Sequence, residues 1–311
     1  MKYFRLGKSG LKVSALGLGT NSFGGRADEK TSIEIIHTAI ENGVTFIDTA
    51  NIYTQTESER IIGLALEGKR HEVVLATKAG LVKGEGPNQR GSSRYHLMRE
   101  LEDSLKRLRT DYVDLYQIHT FDPETPLEET MGALAQAVAS GKALYAGLSN
   151  YDGETMKKAA AILDEMHCPF IINQNRYSIF DRTIEKNGLK DAAAETGKGI
   201  IAFSPLAQGL LTNRYLNGIP ADSRIRTDGR FLHAETLTEE RLQQIRNLNG
   251  IAAGRGQTLA EMALSWVLKD GAVTSVLIGA SKPEQVLDNI KAIENTQFTE
   301  EELKKIDSVS M

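Results

Sequence analysis

The sequence predicts an α/β fold: a (β/α)8 TIM barrel with an N-terminal hairpin and a long loop plus extra helices between strands seven and eight. Three observations predict it. Eight short apolar runs alternate with helical patterns along 311 residues. Most runs are continuously apolar, as parallel strands covered on both faces require. Several runs end in polar residues of matching chemistry, which a barrel gathers at one mouth.

Residues 3–13 (YFRLGKSGLKV) predict a hairpin with its turn at Lys8-Ser9-Gly10. Strands are expected at 14–18, 44–48, 73–78, 112–119, 143–149, 170–174, 199–204 and 273–278. Helices at 29–42, 57–67, 94–108, 127–140, 153–165, 184–195 and 283–293 carry apolar residues at spacings of three and four. In 94–108, Leu97, Leu101, Leu105 and Leu108 form one stripe. Asn42-Gly43 and Ser140-Gly141 place glycine just past two helix ends, where a left-handed cap suits it. Loop 80–93 is rich in glycine and polar residues. Loop 207–236 carries Arg214, Arg224, Arg226 and Arg230, and precedes helices at 238–252 and 258–269. Both loops follow strands, so both should overhang the C-terminal mouth, where barrel enzymes work. An open doubly wound sheet is the alternative. Its dinucleotide fingerprint fails, because Gly17 and Gly19 are followed by Ser22 where a third glycine belongs. No internal repeat, low-complexity tract or boundary interrupts the pattern, so residues 1–311 read as a single barrel domain.

Composition narrows the function. A net charge of −4 gives no bulk basic signal for nucleic acid or an anionic membrane. Cys168 is the only cysteine, so no intrachain disulfide forms and a reducing, cytoplasmic setting is expected. Residues 1–12 lack the apolar core of a signal peptide, and no apolar run approaches the ~20 residues needed to span a bilayer. Neither H-E-x-x-H nor C-x-x-C occurs, so no metal is expected, and G-x-S-x-G is missing. Cys168 and Trp266 read as packing residues, and His37, His71, His96, His167 and His233 as surface or packing residues.

The chemistry centres on 44–53 (VTFIDTANIY), a buried strand ending in Asp48 with Tyr53 in the loop beyond. The next strand ends in Lys78 and the one after in His119. Parallel neighbours would bring the four side chains to one face. Free tyrosine, with a pKa near 10, is a poor acid at pH 7. Lys78 should lower that value, and Asp48 should hold Lys78 charged. His119 should address the same substrate oxygen as Tyr53. Such a pocket polarises a carbonyl. Lacking a metal and a nucleophile, it needs a hydride from a nicotinamide. Ser149, Asn150 and Gln174 at further strand ends suit a carboxamide, and Phe203 a flat heterocycle.

These motifs resemble the aldo-keto reductase family over essentially the whole length. They are Gly17-Leu-Gly-Thr20, Asp48-Thr-Ala-x-x-Tyr53, Thr77-Lys78, Ile118-His119, Gly147-Leu-Ser-Asn150, Phe203-Ser-Pro-Leu206 and Gly279-Ala-Ser-Lys-Pro-Glu-Gln285. Residues 211–224 and 276–281 resemble the branch of bacterial L-glyceraldehyde-3-phosphate and methylglyoxal reductases, near potassium-channel β subunits. The resemblance implies NADPH-dependent reduction of small aldehydes or ketones, and allows a homo-oligomer. It implies Asp48, Tyr53, Lys78 and His119 as catalytic, with Thr20, Asn21 and Asp48 near the nicotinamide. Ser149, Asn150 and Gln174 would hold the carboxamide, with Phe203 under the ring. Ser204, Leu206, Gln208, Gly209, Arg214 and Arg224 would line the pyrophosphate and ribose. Gly279, Ser281, Lys282, Gln285, Asp288 and Asn289 would surround the adenosine and its 2′-phosphate. Thr54 stands where the family usually has glycine, and 55–58 (QTES) replaces a Pro/Gly-rich insertion. Asn21 replaces a more usual aromatic or Met.

Two other functions compete. A Schiff-base aldolase would use Lys78 as nucleophile. A regulatory subunit would bind NADPH as a redox sensor with negligible turnover.

Overall fold

A computed structural model describes residues 1–221, 223–227 and 232–310, so Arg230 lies outside the described residues. Tyr3–Arg5 (β1) pairs antiparallel with Lys12–Ser14 (β2) as the expected hairpin. The chain then alternates through Leu16–Gly19 (β3), Glu29–Glu41 (α1), Phe46–Asp48 (β4), Glu57–Ala65 (α2), Val74–Ala79 (β5) and Arg94–Leu108 (α3). It continues through Val113–Ile118 (β6), Leu127–Ala139 (α4), Ala143–Ser149 (β7), Gly153–Glu165 (α5) and Phe170–Arg176 (β8). Thr183–Lys186 (α6), Leu189–Thr196 (α7) and Gly199–Phe203 (β9) follow, then Arg224–Thr227 (α8), Glu239–Gly254 (α9) and Leu259–Val267 (α10). Val273–Gly279 (β10), Pro283–Ile290 (α11) and Glu300–Ser310 (α12) end the chain.

The strands β3 to β10 close into one parallel barrel in which β10 pairs with both β3 and β9. Closure excludes the open doubly wound sheet. Two apolar layers hold the barrel. Inside its N-terminal end, Phe46, Val74, Leu115, Ile172 and Ile201 pack with Leu6 and Val13, so the hairpin plugs the floor. Outside, strand residues such as Ile47, Leu75 and Tyr116 meet the helices' apolar faces, including the leucine stripe of α3. Trp266 and Cys168 are buried as expected, and burial pushes the Cys168 thiol up to about 11. Among the described residues no helix is long and apolar enough to cross a membrane.

Three helix expectations change. The expected helix 184–195 is two helices, because Gly188 adopts φ +75° between them. The expected helix 283–293 ends at Ile290, and Lys291–Glu294 tightens into a 3-10 turn. Helix α12 was not anticipated. Thr299 and Glu302 exchange backbone and side-chain hydrogen bonds at its start, a capping box that the T-x-x-E spacing could have signalled.

Candidate active site

Parallel register sets the site. Asp48 ends β4, and Lys78 lies one residue from the end of β5 and opposite Gln117 of β6. Lys78 Nζ donates to Asp48 Oδ1 at 2.5 Å and to Thr49 O at 2.7 Å, and stands 3.5 Å from Tyr53 Oη. Asp48 and Lys78 are essentially fully buried. The other carboxylate oxygen of Asp48 accepts from Gln174 Nε2 at 2.8 Å and Gln117 Nε2 at 3.1 Å. A buried ion pair is tolerable only when such bonds satisfy its remaining lone pairs. The Tyr53 and His119 rings meet edge to face at 5.8 Å, so the loop tyrosine converges with the three residues from the strand ends.

Electrostatics refine the expectations. Burial pulls the Lys78 ammonium down, but Asp48 and Tyr53 outweigh it and hold the group above its ordinary value. Tyr53 was expected to be lowered. Burial instead pushes its phenol up, against the pull of Lys78 and with a further push from Asp48. Tyr53 therefore keeps its proton at neutral pH, beside the cation that would favour its loss. Burial, aided by Lys78, pushes His119 down to about 3, so its ring is neutral at pH 7. Its buried Nδ1 has no hydrogen-bond partner among the described residues. An ammonium held charged and committed to three oxygens offers no lone pair, which argues against the aldolase.

The sequence reasoning missed Gln117 and the carbonyl of Thr49. Gln117 carried a signal, since it is an amide inside an otherwise apolar strand. Gln174, expected at a carboxamide, lies on β8 and donates from its amide nitrogen to Asp48. Thr20, expected near the nicotinamide, packs against the same aspartate. It is buried, and its hydroxyl donates to Asp48 O. Asn21 beside it is exposed.

The remaining residues line a rim along the ends of β7, β9 and β10. Ser149 is buried, and Asn150, at φ +60°, donates to His119 O and Ser149 Oγ. Phe203 is partly exposed at the end of β9, under the Arg176 guanidinium at 5.8 Å. Beyond it Ser204, Ala207 and Gln208 have positive φ, and Gln208 accepts from Arg224. Leu206, Gly209 and Arg214 belong to the same partly buried turn region. Gly279 ends β10. Ser281 donates its amide to Gln285 Oε1, and Lys282 occupies the start of α11 without a side-chain cap. Asp288 pairs with Lys291 along its own helix, and Asn289 is buried.

This donor set is compatible with a nicotinamide dinucleotide. An uncapped helix start beside a lysine attracts a phosphate, while an exposed aromatic face and paired amides suit a nicotinamide. Loop 80–93 is tied down at the same mouth. Lys83 pairs with buried Glu100, which also accepts from Asn51 in the loop before Tyr53.

A phenol beside a buried ion pair, at the mouth of a closed parallel barrel, suits an oxidoreductase acting on carbonyls. The chain belongs to the aldo/keto reductase family, whose match spans residues 15–311. It is 44% identical over 317 aligned positions to the L-glyceraldehyde 3-phosphate reductase of Escherichia coli K12, covering 99% of this chain and 92% of that protein. It is 35% identical to a probable voltage-gated potassium channel subunit beta of Oryza sativa subsp. japonica, covering 99% and 96%. Among solved structures, the holo form of a Bacillus halodurans aldo-keto reductase superposes with TM-score 0.82 at 31% identity, covering 100% of this chain and 97% of that one. The protein is an oxidoreductase of this family.

Proposed function

We propose that the protein reduces small aldehydes and ketones, methylglyoxal and glyceraldehyde 3-phosphate among them, to alcohols with NADPH. The observation that carries this reading is the Tyr53 phenol held 3.5 Å from Lys78, which is buried in an ion pair with Asp48. When bound, NADPH supplies the hydride that reduces the carbonyl carbon. Tyr53 gives its phenolic proton to the carbonyl oxygen as charge develops there. Lys78 then stabilises the phenolate, and Asp48 keeps Lys78 charged and in place. Gln117 and Gln174 fix Asp48. Neutral His119 packs against Tyr53 and shapes the pocket that seats the carbonyl. Ser281, Lys282, Gln285 and Arg224 are proposed to receive the 2′-phosphate, while Asn21, Ser149, Asn150 and Phe203 flank the nicotinamide. The similarity to the L-glyceraldehyde 3-phosphate reductase supports a small, polar aldehyde. The lone buried Cys168 supports work in a reducing, cytoplasmic setting.

The test is a panel of aldehydes assayed by NADPH absorbance. We expect steady turnover with methylglyoxal and glyceraldehyde 3-phosphate. The likeness to a channel subunit supports a second reading, a redox sensor. Negligible turnover on the whole panel, with tight NADPH binding, would favour that reading instead.

A further inference from the structure

Directly after Tyr53 the backbone does something that its side chains resist. Thr54, Gln55 and Thr56 have φ of +46°, +55° and +78°. Positive φ is costly for any L-residue with a side chain, most of all for β-branched threonine. Three in succession persist only where the surroundings hold them. Segment 20–25 does the holding. Thr54 Oγ1 donates to Phe23 O at 2.5 Å. Gly25 lies so close to the Thr54 methyl that a Cβ there would meet it at 3.0 Å. Gly24, at φ +77°, sits where a Cβ would come within 2.7 Å of Glu57 Cβ.

The segment is itself anchored. Phe23 N donates to Thr20 O, and Gly25 N and Ala27 N donate to Ser22 O, so it forms two linked turns. Thr20 bonds Asp48 O through both its amide and its hydroxyl, and Ser58 Oγ lies 2.8 Å from Thr20 Oγ1. At the far edge, Ser22 Oγ donates to Ala280 O at 2.9 Å. Ala280 immediately precedes Ser281 and Lys282, on the turn between β10 and α11.

We infer that segment 20–25 is a strap that couples the β10–α11 turn to the seating of Tyr53, with Ser22 and Thr54 as its two fasteners and Thr54 as a positioning residue. The inference rests on the proposed roles of Tyr53 and of Ser281-Lys282. Thr54 acts through the backbone of Tyr53 and touches no reacting atom. Its hydroxyl holds a left-handed turn that would otherwise relax and carry the phenol away from Lys78.

Three variants test it: Thr54→Val, which keeps the shape and loses the hydroxyl, Thr54→Ser, which keeps the hydroxyl, and Ser22→Ala. Loss of one hydrogen bond should lower kcat by about tenfold in Thr54→Val, with NADPH Kd unchanged, and Thr54→Ser should recover most of it. Ser22→Ala should lower kcat several-fold. The double variant Thr54→Val/Ser22→Ala should be no slower than Thr54→Val alone, because either loss frees the same strap. Equal rates for the Val and Ser variants, or full additivity in the double variant, would overturn the coupling. Amide exchange across residues 53–57 supplies a readout without turnover. It should quicken in Thr54→Val and Ser22→Ala but not in Thr54→Ser, and unchanged exchange in all three would refute the strap. The reading of Tyr53 as acid fails separately, if Tyr53→Phe keeps its activity while these exchange differences remain.

Discussion

Replacing Lys78 with methionine separates what the buried ion pair does for stability from what it does for catalysis. At 2.5 Å and an effective dielectric near 20, the Lys78–Asp48 attraction is about 7 kcal/mol. Desolvation costs several kcal/mol for each ion, so the pair as a whole adds little to stability. Removing one partner is different. In Lys78→Met the Asp48 carboxylate stays buried with only Gln117 and Gln174 as donors, at a cost of about 3–5 kcal/mol. For 311 residues, an unfolding entropy of about 2.1 cal/mol/K per residue turns this into a fall in Tm of about 5–8 °C. Adding Asp48→Asn removes the orphaned charge and keeps an acceptor for the two glutamines. The double variant should recover to within about 1–2 kcal/mol of the wild type. Its activity should not recover, because Tyr53 still lacks its cation, and kcat should stay down by about 10²–10⁴-fold. The sign with pH follows from the raised Lys78 value. The lysine's own contribution is complete below its unfolded value of 10.5 and is lost as pH rises through the higher folded value. Differential scanning calorimetry and NADPH absorbance on the wild type and the two variants suffice. A Lys78→Met protein as stable as the double variant, or an active double variant, would refute the reasoning.

Three further outcomes are expected. Lys282→Ala should cut kcat/KM with NADPH by about tenfold or more and leave NADH nearly unchanged, since a charged hydrogen bond is worth about 1.5–3 kcal/mol; equal losses with both cofactors would misplace the 2′-phosphate. His119, at about 3 in the fold against 6.5 for a free ring, should destabilise the protein as pH falls from 6.5 towards 3, and His119→Asn should flatten that limb in urea titrations. The pH profile of kcat should show no limb near 6.5 from this ring. Replacing Arg214 and Arg224 together with Ala should weaken NADPH and speed its release in stopped flow, and should abolish NADPH protection of loop 207–224 against limited proteolysis.

The barrel was legible because its strands are buried on both faces and so read as unbroken apolar runs, from Phe46-Ile47 to Val276-Leu277-Ile278. Helix ends were less so. Gly188 can sit inside a helix or end one, and its backbone comes so close to α5 that a Cβ at Gly153 would meet Gly188 O at 2.2 Å, a contact no local pattern reveals. The four proposed catalytic residues could be found because Asp48, Lys78 and His119 are costly polar residues at or next to the ends of apolar strands, and Tyr53 follows in the adjoining loop. What escaped were contacts made across the barrel. Gln174 lies 126 positions from Asp48 in sequence, and nothing local says that its amide nitrogen reaches that carboxylate. Neither does the local sequence show the left-handed turn at 54–56, since threonine argues against positive φ and the contacts that impose it come from residues 23–25. The direction of the Tyr53 shift also depended on burial, which outweighs the neighbouring cation.

The most direct measurement is single-turnover reduction of methylglyoxal by Tyr53→Phe beside the wild type, with NADPH affinity measured on the same samples. Removing only the phenolic oxygen should leave NADPH Kd unchanged and slow the chemical step by about 10²–10⁴-fold. A Tyr53→Phe protein that reduces the aldehyde at the wild-type rate, with NADPH bound equally well, would contradict the assignment of Tyr53 as the proton donor.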